Sequence, residues 1–220
     1  MKITAIPAGD GAGTPASGNT RPASSGRPES RRPASASAST SPSASASTSA
    51  SPRVLHVIHS LRCGGLERIL IAVANGLSRR GCPQAICCQH ERGALGDAVE
   101  AEVDQFVLGA GANDPRTPFR LRRLIRQWRP DVVHSEDFSV WGECAAALAY
   151  RGSPAHMHTF HGFLDTPPRR WRGLGCVLGA MTDALHAVSV GVAREVSDTF
   201  SIPIDRVGLL RNRQPPARYL

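Results

Sequence analysis

The stretch Arg53-Val-Leu-His-Val-Ile-His-Ser-Leu-Arg-Cys-Gly-Gly-Leu-Glu-Arg68 carries the reading of the fold. Val54 to His59 is short and rich in β-branched residues, so it reads as a buried strand. Gly64-Gly65 then removes side chains where the chain must turn. Beyond the turn, Leu66, Ile69, Leu70, Val73, Ala74 and Leu77 fall at i, i+3, i+4, i+7, i+8 and i+11, one apolar stripe of a helix. Arg79-Arg80 followed by Gly81 ends that helix with cations in its last turn and a glycine beyond. The first turn of such a helix has unpaired N–H groups and the positive end of the helix dipole, so a phosphate or sugar hydroxyl can approach the backbone there. A tight turn without a ligand is the plainer alternative. No G-x-G-x-x-G follows the strand and no Gly-Lys-Ser/Thr closes the loop, so neither a dinucleotide fingerprint nor a P-loop is present.

Working outward, strands are expected at Ala85–Cys88, Gln105–Leu108, from Val132, at Ala155–Phe160, Leu185–Val188 and Val207–Leu210. Helices are expected over Ala94–Val103, Phe119–Trp128, Trp141–Tyr150, a segment marked by Trp171 to Met181, and one capped by Ser189 that runs to Phe200. This alternation predicts a single Rossmann-like α/β domain, a mostly parallel sheet with helices on both faces. Ligands of such folds bind beyond the carboxyl ends of the strands. The candidate site residues are therefore Ser60 to Gly65, Gln89-His90-Glu91, Ser135-Glu136-Asp137, His161-Gly162-Phe163 and Ser189. Glu136 and Asp137 follow the fourth strand, where they can touch a ligand, with a solvated loop at least as good an alternative.

The first 52 residues differ in kind. They are mostly Ala, Ser, Pro, Gly and Thr, without apolar periodicity, and are expected to form a disordered tail. The remaining 168 of the 220 residues suffice for one packed domain. Met1-Lys-Ile-Thr-Ala-Ile-Pro is too short for a secretory peptide, and Arg21, Arg27, Arg31 and Arg32 sit in a tail that is not amphipathic, unlike a transit peptide. No window approaches a membrane span. Of the net charge of +8, the tail holds Lys2 and four arginines against Asp10 and Glu29, which leaves about +5 on the domain. That suits an anionic ligand or membrane surface. Aromatics make up 5% and do not alternate with basic residues, so no nucleic-acid partner is expected. Six cysteines without a C-x-x-C pair fit a reduced, cytoplasmic setting.

His156, His158 and His161 alternate in a strand and its end. His156 and His158 share one face, but no acidic or thiol partner lies at ligand spacing, so no metal is expected. Arg169, Arg170 and Arg172 beside Trp171 start a basic helix, read as a solvated face or as a peripheral membrane contact.

Five motifs in order carry a resemblance: Val54-Leu-His-Val-Ile-His-Ser-Leu-x-x-Gly-Gly-Leu-Glu-Arg68, continued by Ala74-Asn-Gly-Leu-Ser-Arg-Arg-Gly81; Leu124-Ile-Arg-x-x-Arg-Pro-Asp-Val-Val-His134; Thr159-Phe-His-Gly-Phe163; Ala187-Val-Ser-x-x-Val-Ala-Arg-Glu195; and Ile202-Pro-x-Asp-Arg-Val-x-x-Leu-x-Asn212. Across about 53–212 the chain resembles the amino-terminal, acceptor-side domain of family 4 glycosyltransferases. The resemblance implies two Rossmann-like domains facing across a cleft, and transfer of a sugar from a nucleotide-sugar donor to an acceptor with retention and without a required metal or other cofactor. It implies that Gly64 and Gly65 line the cleft near the donor phosphates and the acceptor. It implies that His161 approaches the transferred sugar, where hydrogen bonding and charge stabilisation are its work. Glu67 is expected to be structural. The family's Asn-Gly before the hinge reads here Asn212-Arg213, and the sequence stops at Leu220. The expectation is a chain without the donor domain, inactive alone. The alternatives are a half-enzyme completed in trans by a separate donor domain, or a non-catalytic module for a phosphorylated or glycosylated ligand.

Overall fold

A computed structural model describes residues 4–5, 51–111, 114–136, 138–148, 154–162 and 170–210. Most of the expected tail, Asp137, Phe163, Arg169 and the Asn212-Arg213 end lie outside the described residues, as do the side chains of Arg170, Trp171 and Arg172.

The elements follow in chain order as β1 (Thr4–Ala5), β2 (Val54–Ser60), α1 (Gly65–Ser78), β3 (Gln84–Glu91), β4 (Val103–Val107), α2 (Thr117–Trp128), β5 (Val132–Ser135), α3 (Phe138–Leu148), β6 (Ala155–Phe160), α4 (Arg170–Met181), β7 (Ala184–Ala187), α5 (Val190–Phe200) and β8 (Val207–Leu209). They form one sheet of order β1-β4-β3-β2-β5-β6-β7-β8. Strands β2 to β8 pair in parallel, and β1 pairs antiparallel with β4 at the edge. The α/β reading therefore holds. The order reverses at β2, which has β3 on one side and β5 on the other, so the crevice of the switch point opens at the carboxyl ends of β2 and β5.

Each face has its own core. Ile58, Ile86, Cys88 and Val103 meet Leu70, Ile71 and Ala74 of α1. On the opposite face Leu55, Val57, Ala85 and Val133 meet Leu121, Leu124 and Ile125 of α2 and Val140 and Cys144 of α3. The same face continues to Phe160, Leu185 and Ala187 under Trp141 of α3, Leu178 of α4, and Val192, Val196 and Phe200 of α5. The α1 side of the remaining strands is more open: Met157, Ala184 and His186 are half-buried and Gly208 is exposed.

One local reading differs. The expected helix over Ala94–Val103 is a 3-10 turn, Ala94–Ala98, and Val103 already pairs with Gln84 in the sheet. Gly93 sets the entry to that turn. Its φ of 74° lies in the left-handed region, and a Cβ there would meet the Leu61 carbonyl at 2.2 Å. The loop after β3 is thereby pinned beneath the glycine turn, with Leu61 donating to Arg92 O and Leu95 to Leu61 O.

Candidate functional site

Glu136 follows β5 directly, and its backbone N–H donates to Val57 O of β2 at 3.2 Å, which holds it at the switch point. His161 follows β6, the strand next to β5. The two side chains meet: His161 Nε2 lies 2.5 Å from Glu136 Oε2. Glu136 is 5% exposed and His161 14%, so the carboxylate is at the floor and the imidazole at the opening.

Below them the pairing of β2 with β5 sets His56 opposite His134 on the α1 face. Their Nδ1 atoms are 3.2 Å apart, and His134 Nδ1 is 3.0 Å from Glu136 Oε1. The outer ring nitrogens are also engaged. His56 Nε2 lies 3.0 Å from Gln84 Oε1, and the Gln84 amide donates to Cys82 O and Pro83 O, so its oxygen must face the imidazole. His56 Nε2 is therefore the protonated nitrogen. His134 Nε2 meets the Thr159 hydroxyl at 2.8 Å. Burial pushes the His134 imidazole down to about 4 against the attraction of Glu136, and lowers His56 as well. Burial works against ionisation of Glu136. The His161 hydrogen bond and the surrounding imidazoles outweigh it and hold the carboxyl below its ordinary range. The floor of the crevice thus holds one carboxylate on neutral imidazoles.

Gly64 and Gly65 follow the carboxyl end of β2, two strands from β6 in the parallel sheet, so both they and His161 belong to the same edge of it. Gly64 is the N-cap of α1 and makes no side-chain cap. A Cβ at Gly64 would meet the carboxylate of Glu67, and among the described residues one at Gly65 would meet nothing within 4 Å beyond its own helix and chain neighbours. Folding therefore leaves the space before Gly65 open, and Glu67 lies over the start of the helix.

The other strand-end candidates divide. Ser189 caps α5, its hydroxyl oxygen accepting from Val192 N–H at 3.2 Å, which leaves one hydroxyl proton to offer a ligand. His90 stacks on His59 with ring centroids 5.6 Å apart, and Glu91 accepts from Arg62. His156 and His158 turn to the opposite face from His161 and both meet the Ser135 hydroxyl, at 2.9 and 2.8 Å. Sequence reasoning passed over His56, His134, Gln84 and Thr159, because nothing in their spacing says that they meet.

The profile of Glycosyltransferase Family 4 matches residues 63–212, well over half of the chain, and the chain belongs to that family. The crystal structure of a glycosyltransferase from Rickettsia africae ESF-5 is similar in fold, with a TM-score of 0.59 at 19% identity, over 73% of this chain and 43% of that one. A UDP-GlcNAc 2-epimerase from Neisseria meningitidis, solved bound to UDP-GlcNAc, gives a TM-score of 0.48 at 13% identity over 71% of this chain and 45% of that one, a likeness too loose to carry an argument. The chain spans less than half the length of either protein. No curated protein matches the sequence. Among the described residues no helix is long and apolar enough to cross a membrane.

Proposed function

We propose that this chain forms the acceptor-side half of a glycosyltransferase that moves a sugar from a nucleotide-sugar donor to an acceptor with retention of configuration. The observation that carries the reading is the His161–Glu136 pair at the switch-point crevice of a family 4 domain. His161 faces the opening, and Glu136 fixes its ring. In this reading His161 hydrogen-bonds the sugar and stabilises the positive charge that develops at its anomeric carbon. The open backbone at Gly64-Gly65 meets a phosphate or hydroxyl group of the substrates, with Ser189 at the acceptor side and Glu136 beneath, positioning His161. The nucleotide of the donor is held by a second domain, in the same polypeptide or in trans, and the 220 residues alone turn over no donor.

The test measures nucleoside-diphosphate release and labelled-sugar transfer from a panel of nucleotide sugars. The chain is assayed alone and mixed with the donor domain of a family member. Turnover only in the mixture, reduced about 100-fold or more by His161→Ala, is expected. Transfer by the isolated chain contradicts the need for a donor domain. Nucleotide-independent glycan binding with no transfer in any mixture favours the binding-module reading.

A peripheral membrane contact, expected at the Arg169–Arg172 helix start whose side chains lie outside the described residues, is proposed here on α2 instead. Phe119 is 73% exposed on α2, and Arg122, Arg123 and Arg126 follow it at i+3, i+4 and i+7, opposite the buried Leu121, Leu124 and Ile125. A basic stripe with one apolar anchor suits an anionic lipid surface. Cosedimentation with anionic but not neutral vesicles, weakened by Phe119→Ser, is the expected result; equal pelleting with both removes the contact.

A further inference from the structure

We propose that His56, His134 and Glu136 form a binding site for one transition-metal ion, of the zinc class, under the floor of the crevice. The three atoms that converge are His56 Nδ1, His134 Nδ1 and Glu136 Oε1. Their separations of 3.2, 3.0 and 4.0 Å define a triangle whose centre lies about 2.0 Å from every corner, a metal–nitrogen or metal–oxygen bond length, with the ion in the plane of the three atoms and His56 and Glu136 on nearly opposite sides of it. All three residues are buried, so the ligand atoms are held rather than solvated.

The groups around the triangle are those that a metal site requires. A ligating histidine presents one nitrogen to the ion and donates its other N–H to a fixed acceptor. Gln84, locked by the Cys82 and Pro83 carbonyls, accepts from His56 Nε2. The Thr159 hydroxyl stands at His134 Nε2. His161 holds the second carboxylate oxygen. Two imidazoles and one carboxylate suit zinc and its neighbours over calcium or magnesium.

Without metal, two lone-pair nitrogens and a carboxylate oxygen would face one another, so one proton must lie among them. His134 Nδ1–H supplies it, with Nε2 accepting from the Thr159 hydroxyl. On metal binding that proton moves to Nε2 and Thr159 turns from donor to acceptor. No net proton is released, and no co-reactant is needed. The ion takes Oε1 and leaves Oε2 to His161, so it fixes the carboxylate that positions the histidine at the opening. The half-buried His186 and Met157 on the α1 side of the sheet mark the more open approach.

The experiment uses the full chain, stripped with a chelator and titrated with zinc or cobalt(II). One equivalent bound is expected, with a raised Tm and an enthalpy independent of the buffer's own proton enthalpy. The cobalt form is expected to show visible d–d bands without the near-ultraviolet band of thiolate ligation, which separates this site from the exposed Cys63 and Cys176. Thr159→Val is expected to weaken binding about 10–100-fold as a lost outer partner, and Glu136→Gln more. Absence of binding, thiolate ligation, or affinity unchanged in both variants overturns the proposal. Sugar transfer is not read at any point, so the outcome is independent of the transferase reading.

Discussion

Glu136 Oε2 sits 2.5 Å from His161 Nε2, although the residues are 25 positions apart and leave different strands. Both strands are parallel and adjacent, so their carboxyl ends deliver the two side chains to one edge. Glu136 is also tied to His134 through its other oxygen, at 3.0 Å. One carboxylate therefore orients the half-buried histidine at the opening against a buried support.

Glu136→Gln preserves the shape of that support and removes its charge. In a two-domain transfer assay it should lower kcat about 10–100-fold with KM nearly unchanged, less than His161→Ala. A fall confined to KM would make Glu136 a substrate ligand instead of a positioning residue.

The two turn glycines should behave differently from packing glycines. Among the described residues Gly65→Ala meets no atom within 4 Å outside its own helix and chain neighbours, and it should leave stability unchanged or raise it by about 0.5–1 kcal/mol. Gly64→Ala must move the Glu67 carboxylate, the free end of a flexible side chain, at small cost. Both should impair transfer while the thermal unfolding midpoint holds. A large loss of stability in Gly65→Ala would show that the turn glycine serves folding.

Gly175 on α4 offers the contrast. A Cβ there would lie 2.0 Å from the Phe200 ring, which is fully buried and packed against Trp141 and Phe160. The ring has no room to retreat, so Gly175→Ala should cost about 1–3 kcal/mol by overpacking. Gly173→Ala, two residues earlier and with nothing within 4 Å, should be neutral or mildly stabilising. Denaturant melts of the pair test whether α4 and α5 pack this closely.

Stability should fall on mild acidification. Burial holds His134 and His156 down to about 4, against 6.5 in the unfolded chain. Above pH 6.5 both states are neutral there and the full stability is present. As pH drops below 6.5 the unfolded chain takes protons that the folded chain refuses until about 4, so stability is lost across that window. Each such histidine removes about 3 kcal/mol by the acid end, to order of magnitude. Urea midpoints that stay level between about pH 7 and about pH 4.5 would contradict the neutral, buried imidazoles.

Much of the frame is legible in the chain. The Ala155–Phe160 strand and the Ser189 cap of α5 stand where period and capping chemistry put them. Thr4–Ala5 was not legible, because two residues carry no period and only the free edge of β4 makes them a strand. The segment after Gly93 misled, since Leu95, Val99 and Val103 imitate a helical stripe while Val103 belongs to the sheet. Of the candidate site, Gly64, Gly65, Glu136 and His161 are reached by the rule that strand ends carry ligands, but that rule is silent on which of them touch.

Local order along the chain settled the parallel sheet, the glycine turn at its switch point and the edge that holds the site, because period, turn chemistry and capping act over a few residues. Tertiary structure alone decided that His56 and His134, 78 positions apart, meet nitrogen to nitrogen beneath Glu136. That meeting depends on the register between β2 and β5, and a shift of one residue would turn His134 to the opposite face. Register is fixed by backbone hydrogen bonds and by packing on both faces at once, and no short stretch of sequence contains either.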